Sequence, residues 1–354
     1  MSGLVKSATI RDVAREANVS VATVSRVFNA IDAVTGPTRE RVLAAAARLD
    51  YVPHSGARSL SMRRTDTLGV ILPDLHGEFF SELIRGIDVA TRARGLHLLL
   101  SHSHGDPHEA TAVLRAMRSR VDAMIVMSPY ADDELLAAAL SGRMPLVMLG
   151  GAASGDHPRL AIDNHAGAFQ MTAHLLAAGH RRIDFIAGPP GNIEAAERLA
   201  GYRDALAAHG TAAGEVLQGD FTEEAGLAAA TLLAAGALPD AIFAANDMMA
   251  IGCLQGLRAR GLRVPGDVAL AGFDDIPISR FLDPPLTSVG VPIAELGRQA
   301  VECCVELLAT GGKAESRTFT PDLVVRASCG VVNPDRQDSR PTIGDEQHDT
   351  FRIV

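Results

Sequence analysis

Residues 9–29 read TIRDVAREANVSVATVSRVFN and contain two short helical patterns separated by a tight turn. Thr9 is followed three residues later by Asp12, a spacing typical of a helix N-terminal cap, and apolar residues then recur on one helical face. Asn18 suits the backbone of the turn, and Ser20 can cap a second helix. The stretch predicts a helix-turn-helix, whose second helix enters the major groove of DNA. An ordinary helical hairpin is the alternative.

The second helix of this motif has an inward and an outward face. The residues predicted to face inward are Thr23, Val24 and Val27. The outward face is left to Val21, Ala22, Ser25 and Arg26. Arg26 is the strongest candidate for direct base readout, because arginine pairs bidentately with guanine, whereas valine and alanine offer only apolar contacts such as one to a thymine methyl group.

A third helix is predicted over residues 35–49, which read TGPTRERVLAAAARL. Thr35 can cap this helix, and Pro37 is tolerated in its first turn. Its predicted apolar stripe consists of Val42, Leu43, Ala46 and Leu49. Three short helices are enough for a small DNA-binding domain over residues 1–51.

The charge of the chain is divided unevenly along its length. Residues 1–64 contain ten Lys and Arg side chains against five Asp and Glu, a net charge of +5, whereas the whole chain of 354 residues carries −9. A basic bias confined to the helix-turn-helix segment favours contact with a polyanion, although a solvated surface explains any single one of these residues.

The motifs DVAREANVS, ATVSRVFN, TRERV and LDYVPHSGARSL of this segment resemble the DNA-binding headpiece of the lactose-repressor (LacI/GalR) family. The resemblance covers about the first 64 residues. It implies that base edges are contacted by Val21, Ala22 and Arg26. It also implies phosphate contacts from Thr9, Ser20, Thr23, Ser25 and Asn29.

Residues 52–65 are short, polar and predicted to form a hinge. In the resembling family this segment becomes a helix when two copies meet on the operator, and a leucine enters the minor groove. Leu60 matches that leucine, with Ala57 and Arg58 beside it. Gly56 departs from the pattern and lowers helix propensity by up to about 1 kcal/mol relative to Ala, which favours folding coupled to DNA binding. An inert linker is the alternative.

From residue 66 onward, strand and helix patterns alternate and predict an α/β body with two doubly wound parallel sheets. The predicted strands are residues 68–72, 96–101, 123–127, 146–149, 159–162, 183–187, a segment near 216, 241–245 and 268–271. The body is expected to span residues 66–332, with the chain crossing between two lobes near 163 and 291. Residues 333–354 form a polar tail.

The body also carries family-like motifs, among them GAFQMTAHLLAAGHRRIDFIAG, ERLAGYRDAL, AANDMMAIG, VALAGFDD and PPLTSV. Over about residues 66–330 it resembles the periplasmic-binding-protein fold, in which a small ligand lies between two lobes. In such sheets, ligands bind where loops leave the carboxyl ends of the strands.

Candidate effector-binding residues follow from this resemblance and from side-chain chemistry. In the second lobe they are Arg198, Asn246 and Asp274, which can together recognise hydroxyls or a polar base edge. In the first lobe, the sequence PDLHGEFF supplies Asp74, His76, Phe79 and Phe80. The two phenylalanines can stack on a sugar or another ring, and core packing is the equally weighted alternative. His76, Gly77 and Glu78 stand where the family often has Asn-Pro, so a ligand cannot be transferred from it.

Other features favour plainer interpretations. His102, His104, Asp106 and His108 have a weak metal-site spacing, and we expect them at a cleft rim or in solvent. The GPPG sequence at residues 188–191 lacks the pattern of a phosphate-binding loop, and we find no nucleophile elbow or zinc-protease motif. We therefore expect no enzyme, no metal and no cofactor.

The sequence as a whole predicts a cytoplasmic transcriptional regulator, most simply a repressor. It has no apolar run of about 20 residues, no signal-peptide pattern and four cysteines without metal-like spacing. We expect a homodimer that binds a near-palindromic operator and is controlled allosterically by a small molecule, a sugar or sugar derivative. The tail lacks the leucine heptads of a tetramerising segment. A transport-type sugar-binding protein and an enzyme are the competing classes.

Overall fold

The structure is a computed structural model. The residues that it describes are 8–28, 34–51, 64–130, 144–151 and 157–330. Several sequence predictions fall outside these ranges, namely those for Asn29, Ala57, Arg58, Leu60 and the tail at 333–354.

The headpiece, residues 8–28 and 34–51, contains three helices packed around a small apolar core. The helices are α1 (Ile10–Glu16), α2 (Val21–Phe28) and α3 (Gly36–Arg48). The core is formed by Val13, Ala14, Ala17, Val24, Val27, Val42, Ala45 and Ala46. The prediction for Leu43 is wrong, because its side chain is 46% exposed and Ala45 takes the buried position. The buried face of α3 is formed by Val42, Ala45 and Ala46, and Leu43 lies outside it.

The N-terminal lobe is built on a six-stranded parallel sheet with the strand order β11-β5-β4-β3-β1-β2. Its strands are β1 (Thr67–Leu72), β2 (His97–His102), β3 (Ala123–Met127), β4 (Leu146–Leu149), β5 (Arg159–Ile162) and β11 (Arg317–Phe319). Its helices are α4 (Glu78–Ala93), α5 (Pro107–Met117) and α10 (Ile293–Thr310). Strands such as TLGVIL are apolar on both faces because helices cover both sides of a parallel sheet.

The C-terminal lobe repeats this architecture with the strand order β12-β10-β9-β8-β6-β7. Its strands are β6 (Ile183–Ala187), β7 (Val216–Gln218), β8 (Ala241–Ala244), β9 (Ala269–Asp274), β10 (Thr287–Gly290) and β12 (Asp322–Val324). Its helices are α6 (Asn164–Ala177), α7 (Ile193–Ala208), α8 (Glu223–Ala235) and α9 (Asp247–Arg258). The edge strand β12 runs antiparallel to β10, which refines the predicted all-parallel sheet.

Within the described residues, the chain crosses between the lobes three times, after Ile162, Gly290 and Phe319. The sequence pattern does not predict the third crossing, because β11 and β12 have only three residues each and show no clear alternation. The crossings connect the two sheets side by side, so that the loops at their carboxyl ends can enclose a common space.

The C-terminal lobe is stabilised by the close approach of two of its helices. Helices α8 and α9 pack with Gly226 against the Met249 carbonyl and Gly252 against the Glu223 carbonyl. A Cβ atom at either glycine would lie within 2.0 Å of the facing oxygen, so the packing requires glycine at both positions. None of the helices in the described part of the chain combines the length and the apolar character needed to span a membrane.

Candidate functional site

The first candidate site is the exposed face of α2 in the headpiece. The N-H and hydroxyl groups of Thr9 donate to Asp12 Oδ2 over 3.0 and 2.7 Å, which caps α1. Asn18 has a positive φ of 51°, a conformation that asparagine tolerates in the tight turn. Ser20 Oγ accepts the backbone N-H of Thr23 over 3.1 Å and caps α2. The local sequence therefore fixes the angle at which α2 leaves the turn.

Packing then decides which side of α2 faces outward. Val24 and Val27 are buried, and Thr23 is half-buried. Val21, Ala22 and Arg26, the predicted base-reading residues, are all exposed on one side of the helix. Of the predicted phosphate-binding residues, Thr9 and Ser20 are exposed, whereas Thr23 and Ser25 are half-buried. This face can present a guanidinium and two small apolar groups to a groove of DNA.

The second candidate site is a cleft between the lobes, with a cavity of about 240 Å³. It lies at the carboxyl ends of the strands of both sheets, where loops leave β1, β3, β6, β8 and β9. The structure brings all seven predicted effector-binding residues into its lining: Asp74, His76, Phe79, Phe80, Arg198, Asn246 and Asp274.

Arg198 on α7 is held rigidly in the floor of the cleft and is only 5% exposed. Its Nε donates to Asn164 Oδ1 over 2.9 Å, and one terminal nitrogen donates to the Ala245 carbonyl over 2.6 Å. The other terminal nitrogen lies 3.2 Å from Asp274 Oδ1. The guanidinium stacks 3.8 Å above the centre of the Phe273 ring. These contacts fix the direction in which its remaining polar edge can meet a ligand.

Two buried carboxyls lie at the cleft floor, Asp274 in the lining and Asp247 outside it. Burial raises the pKa of Asp274 to about 6, and the neighbouring Arg198 opposes this rise only in part. Asp247 accepts hydrogen bonds from the Ser279 and Ser288 hydroxyls, each over 2.6 Å. Burial, and then the nearby Asp274, raise the pKa of Asp247 to about 8. Asp274 also has a φ of +104°, a strained conformation of the kind that occurs at ligand sites.

The N-terminal lobe contributes an aromatic wall. Phe79 and Phe80 meet edge to face with their ring centres 5.4 Å apart, and both rings remain half-buried. Asp74 Oδ1 accepts the backbone N-H groups of Leu75 and His76 over 2.6 and 3.1 Å, which shapes the preceding loop. The phenylalanines therefore both pack on the core and line the cleft, as each of the two sequence interpretations requires.

Polar contacts join the two lobes across the cleft. Glu78 Oε2 accepts the backbone N-H of Ile278 over 2.9 Å. His76 Nε2 lies 3.4 Å from Glu223 Oε2. Both contacts arise from the His76 and Glu78 positions at which the sequence departs from the family pattern. They hold the lobes in the arrangement that encloses the cavity.

Several lining residues were not predicted from the sequence. They share positions just after strands or in first helical turns and are Tyr130, Asn164, Asn192, Glu194, Asp220, Phe221 and Met248. Burial raises the pKa of Glu194, although the Gly151 N-H donates to its carboxylate and opposes the rise. Their positions near strand ends could have identified them, because ligands in such sheets bind where loops leave the carboxyl ends of the strands. The family resemblance alone points to fewer residues.

The histidine-rich segment that follows β2 lies partly at the cleft. His104 lines the cavity, and its ring meets that of His102 at 4.1 Å between centres. Asp106 caps α5 by accepting the backbone N-H of His108 over 2.8 Å. Across the described ranges, no three His, Cys, Asp or Glu side chains are grouped so that they could hold a metal ion.

Comparison with known proteins relates both sites to one family. Residues 9–54 match the model of bacterial regulatory proteins of the lacI family, and residues 172–329 match a periplasmic binding protein-like domain. The chain is 38% identical over 319 residues to the HTH-type transcriptional regulator CelR of Thermobifida fusca, covering 87% of this chain and 93% of CelR.

Solved structures show the same similarity. The Lac repressor dimer bound to operator and the anti-inducer ONPF matches with a TM-score of 0.82 at 28% identity, covering 92% of this chain and 100% of that one. A complex of the regulator CelR with cellobiose matches with a TM-score of 0.68 at 35% identity, covering 91% and 99%. The headpiece, the two-lobed body and the resemblance seen in the sequence lead to one conclusion: this chain belongs to the LacI family of bacterial regulatory proteins.

Proposed function

We propose that this chain is a ligand-responsive transcriptional repressor that binds a near-palindromic operator as a homodimer. The observation that carries the proposal is the union, in one chain, of an exposed DNA-reading helix and a two-lobed body with an enclosed cleft. The proposed organisation is a DNA-binding domain at residues 1–51, a hinge at 52–65, an effector domain at 66–332 and a tail at 333–354.

In the proposed DNA complex, α2 lies in the major groove with Arg26 bidentate to a guanine. Val21 and Ala22 make apolar contacts with base edges. Hydroxyl groups of Thr9 and Ser20 reach phosphates from the ends of α1 and α2, and these contacts set the register without reading sequence. Two headpieces related by a two-fold axis would then read two half-sites one helical turn apart.

In the proposed effector complex, a small molecule lies in the cleft between Phe80 and the second-lobe residues Arg198, Asn246 and Asp274. The guanidinium, amide and carboxylate offer donors and acceptors for hydroxyls, and the aromatic wall suits the apolar face of a sugar ring. The cellobiose named in the CelR complex supports a saccharide as the ligand class.

The proposed control is allosteric. A ligand that contacts both lobes stabilises the arrangement in which Glu78 and His76 bridge them, and the position of the N-terminal lobe sets the spacing of the hinges and headpieces. The ligand releases or strengthens operator binding according to which lobe arrangement has the higher affinity for DNA. The operator and anti-inducer in the Lac repressor dimer structure support this coupling of two sites.

The competing classes fit the chain less well. A transport-type binding protein has no use for a capped helix-turn-helix, and an enzyme requires reactive groups that a substrate can reach. In the described cleft, the carboxyl of Asp274 is held by its ion pair with Arg198. We therefore propose a regulatory and not a catalytic role, in the cytoplasm with the DNA that it controls.

A gel-shift assay with genomic fragments tests the proposal. We expect at least one fragment to bind about 10³-fold or more tightly than random DNA of equal length. If every fragment binds like random DNA, with and without added sugars, the repressor proposal fails.

A further inference from the structure

The charges that line the described part of the cleft are unbalanced towards the acidic side. Four carboxylic side chains line it: Asp74, Glu194, Asp220 and Asp274. Among the described lining residues, Arg198 is the only lysine or arginine. Its terminal nitrogens already contact Asp274 and the Ala245 carbonyl, so its charge is largely balanced inside the protein.

The two histidines of the described lining do not reverse this imbalance. His76 lies 3.4 Å from Glu223, and His104 lies 4.0 Å from Glu109. Each imidazole therefore has an acidic neighbour that competes with a ligand anion for it. A phosphorylated ligand would meet more carboxyl groups than cationic side chains in this cavity, which disfavours its entry.

Of these four acidic side chains, Glu194 has the most specific role. It lies in the first turn of α7, is only 8% exposed and lines the cavity. Its Oε1 accepts the Gly151 N-H over 2.9 Å, a contact that reaches across to the N-terminal lobe. Its Oε2 is buried and has no hydrogen-bond partner in the protein. A buried carboxylate oxygen without a partner is costly, and a ligand hydroxyl in the adjacent cavity would satisfy it.

We propose that the cleft selects an uncharged, polyhydroxylated ligand over its phosphorylated counterpart, and that Glu194 determines this selectivity by accepting a hydrogen bond from a ligand hydroxyl. Asn192 and Asn246, also in the lining, cap α7 and α9 through Oδ1, and their amides add polar groups without charge to the cleft. This inference rests on the proposed ligand cleft and narrows the chemical class of its occupant.

The first test compares neutral sugars with their phosphates on the full chain. Calorimetric titrations would use glucose, galactose, ribose and cellobiose, together with glucose 6-phosphate, galactose 6-phosphate and ribose 5-phosphate. We expect at least one neutral sugar to bind. Where the corresponding phosphate is among the compounds titrated, we expect that phosphate to bind at least 100-fold more weakly than the neutral sugar. Equal or tighter binding of a phosphate overturns the inference, and so does the failure of every neutral sugar to bind.

The second test isolates the role of Glu194. Glu194→Gln keeps an oxygen for the Gly151 N-H and replaces the unpaired oxygen with an amide NH2 group, which donates hydrogen bonds but cannot accept one. We expect the dissociation constant of the neutral sugar to rise at least tenfold, because the ligand hydroxyl loses the oxygen that accepts its hydrogen bond. Glu224→Gln, an exposed carboxylate on α8, is the matched control and should change it less than twofold.

The same preparations separate failure of this inference from failure of the proposed function. Thermal melting of Glu194→Gln without sugar, compared with that of the parent, shows that the variant is folded. If sugar affinity in Glu194→Gln stays within twofold of the parent, the role of Glu194 is refuted while the repressor proposal stands. Loss of specific DNA binding by the parent chain would instead refute the repressor proposal.

Discussion

Replacing Arg198 by alanine removes the central charge of the cleft floor. The substitution deletes the hydrogen bonds to Asn164 and the Ala245 carbonyl and the ion pair with Asp274. It also deletes the stacking on Phe273. Asp274 is 4% exposed, so its carboxylate would remain buried without a cationic partner.

The expected cost follows from that unpaired charge. Breaking a buried ion pair by removing one partner destabilises a protein by about 3–5 kcal/mol. For a domain of about 150–250 residues, each kcal/mol of lost stability lowers the melting temperature by about 2–4 °C. The melting temperature of Arg198→Ala should therefore fall by roughly 6–20 °C. Because the carboxyl of Asp274 can take up a proton, the loss should be larger at pH 8 than at pH 5.5.

Thermal melting followed by far-UV circular dichroism measures this loss, and a double-mutant cycle assigns it. Asp274→Asn removes the negative charge, so adding it to Arg198→Ala should recover a substantial part of the stability lost at pH 8. The reasoning is refuted if Arg198→Ala costs less than about 1 kcal/mol, or if the costs of the two substitutions simply add. In ligand titrations, Arg198→Ala should lose the effector response and still bind the operator.

Three further predictions concern other parts of the molecule. Arg26→Ala should reduce discrimination against mutated operators by about 1–3 kcal/mol, which a gel shift with single-base operator variants would show. Asp247 has its pKa raised to about 8 in the folded chain, so its contribution to stability is full below about pH 4 and is lost as the pH rises through 8. Urea unfolding curves would show this. Between about pH 6 and pH 8, Asp247→Asn should lose less unfolding free energy than the parent, and an equal loss would contradict the assignment. Glu78→Ala removes the hydrogen bond to Ile278 and should weaken effector binding about fivefold without touching the cleft lining, which calorimetry would show.

Local chemistry explains why the headpiece could be predicted from the sequence. Capping by Thr9 and Ser20 and the positive φ of Asn18 depend on residues only a few positions apart. The placement of Arg198, Asn246 and Asp274 in one cleft follows equally well, because residues at the carboxyl ends of parallel strands meet at the same edge of the sheets.

What the sequence did not show depends on contacts between distant segments. The contact between Glu194 and Gly151, 43 positions away, joins the two lobes and has no signal in either local sequence. The short strands β11 and β12 are defined by the partners β5 and β10 and not by their own patterns. Leu43 is exposed because α1 and α2 pack against a neighbouring face of α3, which a helical period alone cannot locate.

We propose above all that the cleft and the DNA-reading helix are coupled in one molecule. Binding of a neutral sugar should be titrated with the free protein and with the protein saturated by its operator fragment. Linkage requires that the sugar affinity changes between these states, by the same factor by which the sugar changes operator affinity. We expect a factor of about 5 to 150 in both measurements. An identical sugar affinity in the presence and absence of operator would contradict the account.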